Sequence, residues 1–255
     1  MSVEKTSTSD RLPPSPTRSP DKSFLWWQSL LFAVLLVFVM VVPSTIVVTI
    51  LIVGGWAHLR DLQTLSWPLI VGQFASYAAA LAVMFPLLPL IAHRSWRELG
   101  LRKLRASDAA FALGGAVAMF IATAATGAAQ DAVFHLKPDE VAVHWLRAAR
   151  GSLVGIFVFL ACVAAPFFEE LTFRGFIFNA LRRYMPVWVA VALSAIVFGF
   201  SHWQPGNSGA IVPLAAGGAV LALVYYRTGS LIASMLTHAT FNLFTVVLVL
   251  VFHQV

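Results

Sequence analysis

The stretch LVGIFVFLACVAAPFFEELTFRGFIFNAL, residues 153–181, places two adjacent carboxylates and a guanidinium inside an otherwise apolar run. The run is long enough to cross a bilayer core of about 30 Å, which needs about 20 helical residues. A charged side chain at the bilayer centre costs about 2.5–3.5 kcal/mol on insertion scales, so such residues usually face a protein interior. Glu169, Glu170 and Arg174 are therefore candidates for a site within the membrane.

The composition of the whole chain supports a membrane protein. Of its 255 residues, 59% are hydrophobic and only 11% are charged, whereas a soluble domain carries about 25% charged residues. The apolar residues come in long blocks, which predicts an all-α, polytopic membrane protein surrounded by lipid. The net charge of +6 resides in the gaps between the blocks, a distribution typical of membrane loops and not of a nucleic-acid-binding face.

The chain divides into three regions. Residues 1–23 are rich in Ser, Thr and Pro and predict a disordered cytoplasmic tail. Residues 24–150 hold the first three predicted transmembrane helices and a short amphipathic, interfacial helix over 94–107, and residues 151–252 hold the last four. The seven predicted spans, with six or eight as alternatives, are Leu25–Val53, Trp67–Ala92, Ala109–Ala129, Leu153–Leu181, Val187–His202, Ile211–Tyr226 and Leu231–Phe252.

The distribution of basic residues predicts the orientation of these spans. Lys and Arg are concentrated before the first span and after the second, fourth and sixth. By the positive-inside rule, this pattern indicates a cytoplasmic N-terminus and an outside C-terminus, in a multi-pass protein of the plasma or inner membrane. The gap 130–152 fits this orientation less well, because it holds three basic residues.

Three further polar residues lie within the last spans at one depth. At 1.5 Å per residue, Glu169 lies about 20 Å from Arg182, and His202 lies about 21 Å from Trp188. His238 and Asn242 lie about 16 and 22 Å from Arg227, which precedes the last span. Polar residues on three neighbouring helices thus meet near the bilayer midplane, which predicts a common site.

Helical spacing predicts which of these side chains face one another. Arg174 is four residues from Glu170 and is expected to neutralise it. Glu169 points about 100° away and stays free for another partner. His238 and Asn242 share a face, and Phe198 shares a face with His202, where it would form a wall of the cavity. Pro166 cannot donate a backbone hydrogen bond to the carbonyl of Cys162, so a kink is expected there.

These residue types fit the hydrolysis of a peptide bond. A Glu–His pair can hold and deprotonate a water, and a second His with an Asn can stabilise the oxyanion that forms when this water attacks a carbonyl. The chain has no G-x-S-x-G motif, which disfavours a serine hydrolase. Glu169, His202 and His238 also form a possible zinc ligand set, but H-E-x-x-H is absent. We therefore expect no cofactor, with zinc as the alternative.

Three short motifs carry a resemblance to a known family. The segments EELTFR at 169–174, FGFSH at 198–202 and HATFN at 238–242 resemble, in order, the motifs of the CPBP (CAAX protease and bacteriocin-processing) or Abi intramembrane proteases. This family includes the type II CAAX prenyl endopeptidases. The resemblance covers roughly residues 151–250 and implies a conical active-site cavity between the last four helices.

The resemblance also implies roles for individual residues. Glu169 and His202 would activate the water, and His238 and Asn242 would form the oxyanion hole. The supporting residues would be Glu170, Arg174 and Phe198. The implied enzyme is an endopeptidase of the glutamic type, formerly described as a metalloprotease, which cleaves a membrane-associated or lipid-modified protein or peptide.

Three other functions remain open at this point. The same fold serves as a non-catalytic immunity or binding protein, or as a zinc-dependent version of the protease. A transporter that uses the buried carboxylates as a proton relay is a further alternative, but the sequence shows no convincing internal repeat, which is the usual mark of that class.

Overall fold

The computed structural model is helical. It describes residues 26–62, 64–92, 96–203 and 208–252, and this part of the chain contains no β-strand. The predicted disordered tail, 1–23, lies outside the described residues. The helices are α1 (Trp26–Val53), α2 (Trp67–Ala92), α3 (Ala106–Phe134), α4 (Val141–Ala148), α5 (Ser152–Tyr184), α6 (Val187–Phe200), α7 (Ile211–Thr228) and α8 (Leu231–Phe252), and a short 3₁₀ turn spans Leu59–Leu62.

The helices confirm the prediction of an all-α, polytopic membrane protein. Each of the seven predicted spans coincides with a helix. Four of these, α3, α5, α7 and α8, are long and apolar enough to cross a membrane by length and composition. Shorter apolar stretches are Val37–Val53, Trp67–Val83 and Val187–Phe200. The number of seven crossings therefore stays a prediction.

Helix α7 lies at the centre of the bundle, where it packs against α3, α6 and α8. Small residues allow the close approach of these helices, as is usual in membranes. A Cβ atom at Gly199 of α6 would lie 2.5 Å from the carbonyl oxygen of Ile211 in α7. Another at Gly115 of α3 would lie 2.6 Å from the Val224 side chain. Larger residues at these positions would push α3 and α6 away from α7.

The interfacial helix predicted over 94–107 is wrong for the described part of that segment. Residues 96–100 form turns, residues 101–105 have no regular structure, and α3 begins at Ala106. Gly100 adopts a φ of 93° and its carbonyl accepts the N–H of Leu231 at 2.9 Å. Arg102 donates to the Asp108 carboxylate at 2.7 Å and to the carbonyl of Thr228 at 2.6 Å. These bonds attach the segment to the end of α7 and the start of α8. Arg102 therefore takes part in tertiary packing, and these contacts override the local preference for a helix.

Candidate active site

Helix α5 contains two π-helical segments, one before and one after its two carboxylates. Residues Leu160–Ala164 and Leu171–Phe178 are π-helical, and the α-helical turn Ala165–Glu170 lies between them. A π-helical turn closes hydrogen bonds five residues apart and is frequent at functional sites. It also shifts which side chains face inward, so the carboxylates sit on a locally re-aimed part of the helix.

Pro166 explains part of this irregularity and involves Asn242. The N–H of Ala165 donates to the carbonyl of Leu160, five residues back. In the same register the next donor would be residue 166 and the acceptor Ala161, but proline has no N–H. Asn242 Nδ2 donates to this Ala161 carbonyl at 2.7 Å. The Ala161 carbonyl, which Pro166 cannot serve in this register, thus receives its hydrogen bond from α8.

The Glu170–Arg174 pair forms as the spacing predicts. Arg174 donates to Glu170 Oε1 at 2.9 Å, and both side chains are 0% exposed. Its second terminal nitrogen donates to the carbonyl of Gly218 in α7 at 2.8 Å. The guanidinium carbon also lies 4.7 Å from the centre of the Phe198 ring. Each charge neutralises the other, and removing one would leave an unpaired charge in the interior.

Glu170 is held by the last helix as well. The hydroxyl of Ser234 donates to Oε2 at 2.5 Å, and His238 Nδ1 lies 3.1 Å from Oε1. Because the carboxylate only accepts, Nδ1 of His238 carries the proton in this bond. The opposite ring nitrogen, Nε2, faces the cavity, and it can donate a hydrogen bond there only when the ring is the doubly protonated imidazolium.

Glu169 turns away from this network, again as predicted. Its Oε2 atom lies 3.9 Å from His202 Nε2 and 3.9 Å from His238 Nε2. Both distances exceed a direct hydrogen bond. Oε2 is buried and has no hydrogen-bond partner among the described residues. Three polar atoms from α5, α8 and the end of α6 therefore converge around one small volume.

The hydrogen-bond partner of His202 Nδ1 determines which ring nitrogen of His202 carries the proton. His202 lies two residues after Phe200, the last residue of α6, and its Nδ1 lies 2.9 Å from the carbonyl oxygen of Phe198. A carbonyl only accepts, so Nδ1 is the donor and the neutral ring presents the lone pair of Nε2 to Glu169. Phe198 is 1% exposed, and its ring centre lies 4.9 Å from that of His202. It thus forms a wall beside the histidine, as its position on the same face predicts.

These groups line a cavity of about 380 Å³. Five of the predicted site residues lie in its wall, namely Glu169, Phe198, His202, His238 and Asn242, whereas Glu170 and Arg174 lie behind it. The cavity is not confined to the last four helices. Its wall includes Gln73 and Tyr77 of α2, Met119 of α3 and Trp145 of α4. The ring of Tyr77 stacks on Phe168 of α5 with centres 4.4 Å apart, which fixes α2 against the carboxylate-bearing turn.

A third carboxylate in this wall is absent from the sequence prediction. Glu140 lies at the N-terminal end of the short helix α4, but its side chain does not cap that helix. It instead lines the cavity and interacts electrostatically with His202, Glu169 and His238. Burial raises the pKa of the Glu140 carboxyl above its ordinary value; Glu169 also raises it, and the two imidazoles oppose the rise. The sequence signal was the acidic pair Asp139–Glu140 before a short amphipathic stretch, and such residues are more often solvated loop residues.

The donor geometry was also compared with a zinc site. Zinc binds nitrogen and oxygen ligands at about 2.0–2.2 Å, which brings tetrahedral ligand atoms within about 3.5 Å of one another. Glu169 Oε2 lies 3.9 Å from the Nε2 atom of each histidine. Among the described residues, no group of three or more His, Cys, Asp or Glu side chains is placed to hold a metal ion. The arrangement therefore does not match a preformed zinc site, and no step is assigned to a metal.

The sequence was compared with known proteins. Residues 151–244 match the family model described as type II CAAX prenyl endopeptidase Rce1-like. This match confirms the resemblance that the three motifs predict, and it indicates a protease. The matched segment contains every predicted site residue, whereas the part of the cavity wall before residue 151 lies outside it. No curated protein and no solved structure shows a significant match to the chain.

Proposed function

We propose that this protein is an intramembrane endopeptidase that hydrolyses a peptide bond with a water activated by Glu169 and His202. The observation that carries the proposal is the convergence of Glu169 Oε2 with the Nε2 atoms of His202 and His238, each 3.9 Å away. A water about 2.8 Å from both Glu169 Oε2 and His202 Nε2 fits this separation. Both atoms are acceptors, so the water would donate one hydrogen to each and aim its oxygen lone pair at the substrate carbonyl.

The reaction then follows from the roles of these acceptors. Glu169 takes a proton as the water oxygen forms a bond to the carbonyl carbon, which gives a tetrahedral oxyanion. The same proton passes to the amide nitrogen as the carbon–nitrogen bond breaks. The products are a new carboxylate and a new amine, and no covalent enzyme intermediate forms. A carboxylate close to two imidazoles and shielded from bulk water is suited to this shuttle.

The oxyanion would be stabilised by His238 and Asn242. His238 can donate from Nε2 as an imidazolium, while the Glu170 carboxylate holds its Nδ1 and fixes the orientation of the ring. Asn242 uses one amide hydrogen for the Ala161 carbonyl, so a second hydrogen is left for the substrate. Preorganised donors of this kind typically contribute about 10²–10³-fold to the rate.

The cavity supports a membrane-associated substrate. Its wall is formed mainly by apolar side chains, and four of the helices that line it, α3, α5, α7 and α8, are long and apolar enough to cross a membrane. A protein or peptide held at the membrane would reach such a site without leaving the bilayer. We further propose the plasma or inner membrane as the location, with the N-terminus in the cytoplasm, on the basis of the basic-residue distribution.

Comparative membrane proteomics tests the proposal. Membranes from cells producing the wild type or Glu169→Gln would be searched for new peptide termini, and exposed Glu98→Gln serves as a matched control. Glu169→Gln preserves the shape of the side chain but cannot take the proton. We expect new termini with the wild type and Glu98→Gln and none with Glu169→Gln, at equal amounts of folded protein. Identical termini in all three samples would contradict catalysis by Glu169 and favour a binding or immunity protein.

A further inference from the structure

The cavity wall contains carboxyl groups but no permanently charged basic group among its described residues. Among its described residues are two carboxylates, Glu169 and Glu140, and two imidazoles, but neither Lys nor Arg. Arg174 does not compensate them, because its charge is neutralised by Glu170 behind the wall. The two imidazoles lie 3.9 Å from Glu169 Oε2, and neither is within ion-pair distance of Glu140. The Glu140 carboxyl group is therefore left without an ion-pair partner among the described residues.

The backbone immediately before Glu140 is held in place by contacts with α3 and with the loop before α7. Gln130 donates to the carbonyls of Leu136 and Gly209 at 2.8 and 2.9 Å, which ties the segment before Glu140 to the end of α3 and to the loop before α7. A Cβ atom at Gly209 would come within 2.0 Å of the Lys137 carbonyl oxygen, so these two backbones are in direct contact. Pro138 likewise packs on Gly127 of α3. The carboxylate is thus presented from a fixed segment.

We infer that Glu140 is a specificity-determining residue that binds a cationic group of the substrate, a lysine or arginine side chain or a free amino group, beside the scissile bond. The inference rests on the proposed function, because the cation is placed relative to the bond that Glu169 and His202 attack. A carboxylate in a largely apolar cavity is stabilised by a cation and repelled by another anion. A substrate cation would supply the missing counter-charge, and a substrate carboxylate at the same place would be rejected.

A different role for Glu140, as a second proton acceptor for the water, is less well supported. Two atoms that can accept the hydrogens of the water are already present, because Glu169 Oε2 and His202 Nε2 lie 3.9 Å apart. Glu140 comes from outside the matched segment, 151–244, which contains the complete water-activating and oxyanion-binding set. Glu140 lies in a different part of the cavity wall, where it is better placed to contact the substrate residues next to the scissile bond.

The test compares peptides that differ in one charge. Full-length protein in liposomes would first be given acylated, membrane-bound peptides with four randomised residues, and products would be read by mass spectrometry. At the preferred position, matched peptides with lysine, norleucine or glutamate then give ratios of kcat/KM. We expect the wild type to prefer lysine over norleucine by about tenfold or more and to reject glutamate. Glu140→Gln should abolish that preference, so that the ratio of kcat/KM for lysine over norleucine falls to about one.

Matched variants separate recognition from folding and chemistry. Asp139→Asn alters the adjacent carboxylate, which is exposed and pairs with His144, and should leave the lysine preference unchanged. Glu140→Lys should reverse the preference toward glutamate. An unchanged lysine preference in Glu140→Gln would overturn the inference. An equal loss of activity on all three peptides would also overturn it, because it would assign Glu140 to the water.

A binding measurement distinguishes failure of this inference from failure of the proposed function. Fluorescent lysine and norleucine peptides would be titrated against Glu169→Gln protein and against Glu169→Gln/Glu140→Gln protein, neither of which needs to cleave. If the lysine peptide binds more tightly than the norleucine peptide to Glu169→Gln protein but not to the double variant, the cation site is supported even if the wild type cleaves no peptide. Equal binding of both peptides to both proteins would refute the site whatever the wild type cleaves.

Discussion

Replacing Asn242 by alanine should have two separable consequences, because its side chain has one structural and one proposed catalytic hydrogen bond. The structural bond is the 2.7 Å contact with the Ala161 carbonyl, which Pro166 cannot supply from within α5. A buried carbonyl left without a donor costs about 1–3 kcal/mol. Asn242→Ala should therefore lower the free energy of unfolding by about that amount.

A second substitution should recover this stability but not the activity. Pro166→Ala restores a backbone N–H at the position from which a π-helical turn would donate to Ala161. In the Asn242→Ala background, this N–H can satisfy the carbonyl, so the double variant should be more stable than the sum of the single effects by about 1 kcal/mol or more. The oxyanion donor remains missing, so kcat should stay about 10²–10³-fold below that of the wild type.

The assay is a double-mutant cycle with two readouts. The wild type, both single variants and the double variant would be unfolded in detergent, and cleavage of the same peptide would be measured on each. Purely additive destabilisation would refute the replacement of the proline donor by Asn242. Recovery of kcat together with stability would show that Asn242 acts only through the Ala161 carbonyl and is not an oxyanion donor.

Three other predictions follow from the pairing, the charge pattern and the donor geometry. Arg174→Ala should lower the free energy of unfolding by about 3–5 kcal/mol, because it leaves the fully buried Glu170 charge unpaired. The double variant Arg174→Ala/Glu170→Gln should recover most of this loss. If it recovers none, the loss comes from packing and not from the unpaired charge. Cytoplasmic and exported reporters fused after residues 105 and 255 should give opposite signals, whereas equal signals would indicate an even number of crossings. Cleavage should survive a strong chelator, with no stoichiometric zinc by elemental analysis; one zinc per chain, lost together with activity, would contradict the water-only mechanism.

The sequence predicted the parts of the site that depend on local spacing. Glu170 and Arg174 are four residues apart, and their contact forms even though α5 becomes π-helical after Glu170, because the long guanidinium side chain tolerates the change in winding. The helices themselves were predictable from long apolar runs, since any unpaired backbone group in lipid is costly and a helix satisfies all of them. The common depth of the polar residues on α5, α6 and α8 was likewise a consequence of helical rise.

The sequence could not predict features that depend on distant partners. At the first π-helical turn of α5, the Ala161 carbonyl is satisfied by the Asn242 side chain from α8, and no local pattern around Pro166 indicates that partner. The segment 96–105 has amphipathic spacing, yet Gly100 and Arg102 are bound by the ends of α7 and α8. The place of Glu140 depends on contacts of the loop before α4 with the Gly209 backbone. In each case a tertiary contact overrides or supplements the local preference.

The origin of the cavity wall bears on how far the family match can predict a substrate. The residues that we propose to activate the water and to bind the oxyanion all lie within residues 151–244, the matched segment. Gln73, Tyr77 and Glu140 face the same cavity from α2 and the loop before α4. Changes in that outer wall would alter which peptide fits without moving the atoms that hydrolyse it. Two proteins with the same three motifs can therefore share the reaction and differ in substrate, so the residues before position 151 are where the search for this protein's specificity should begin.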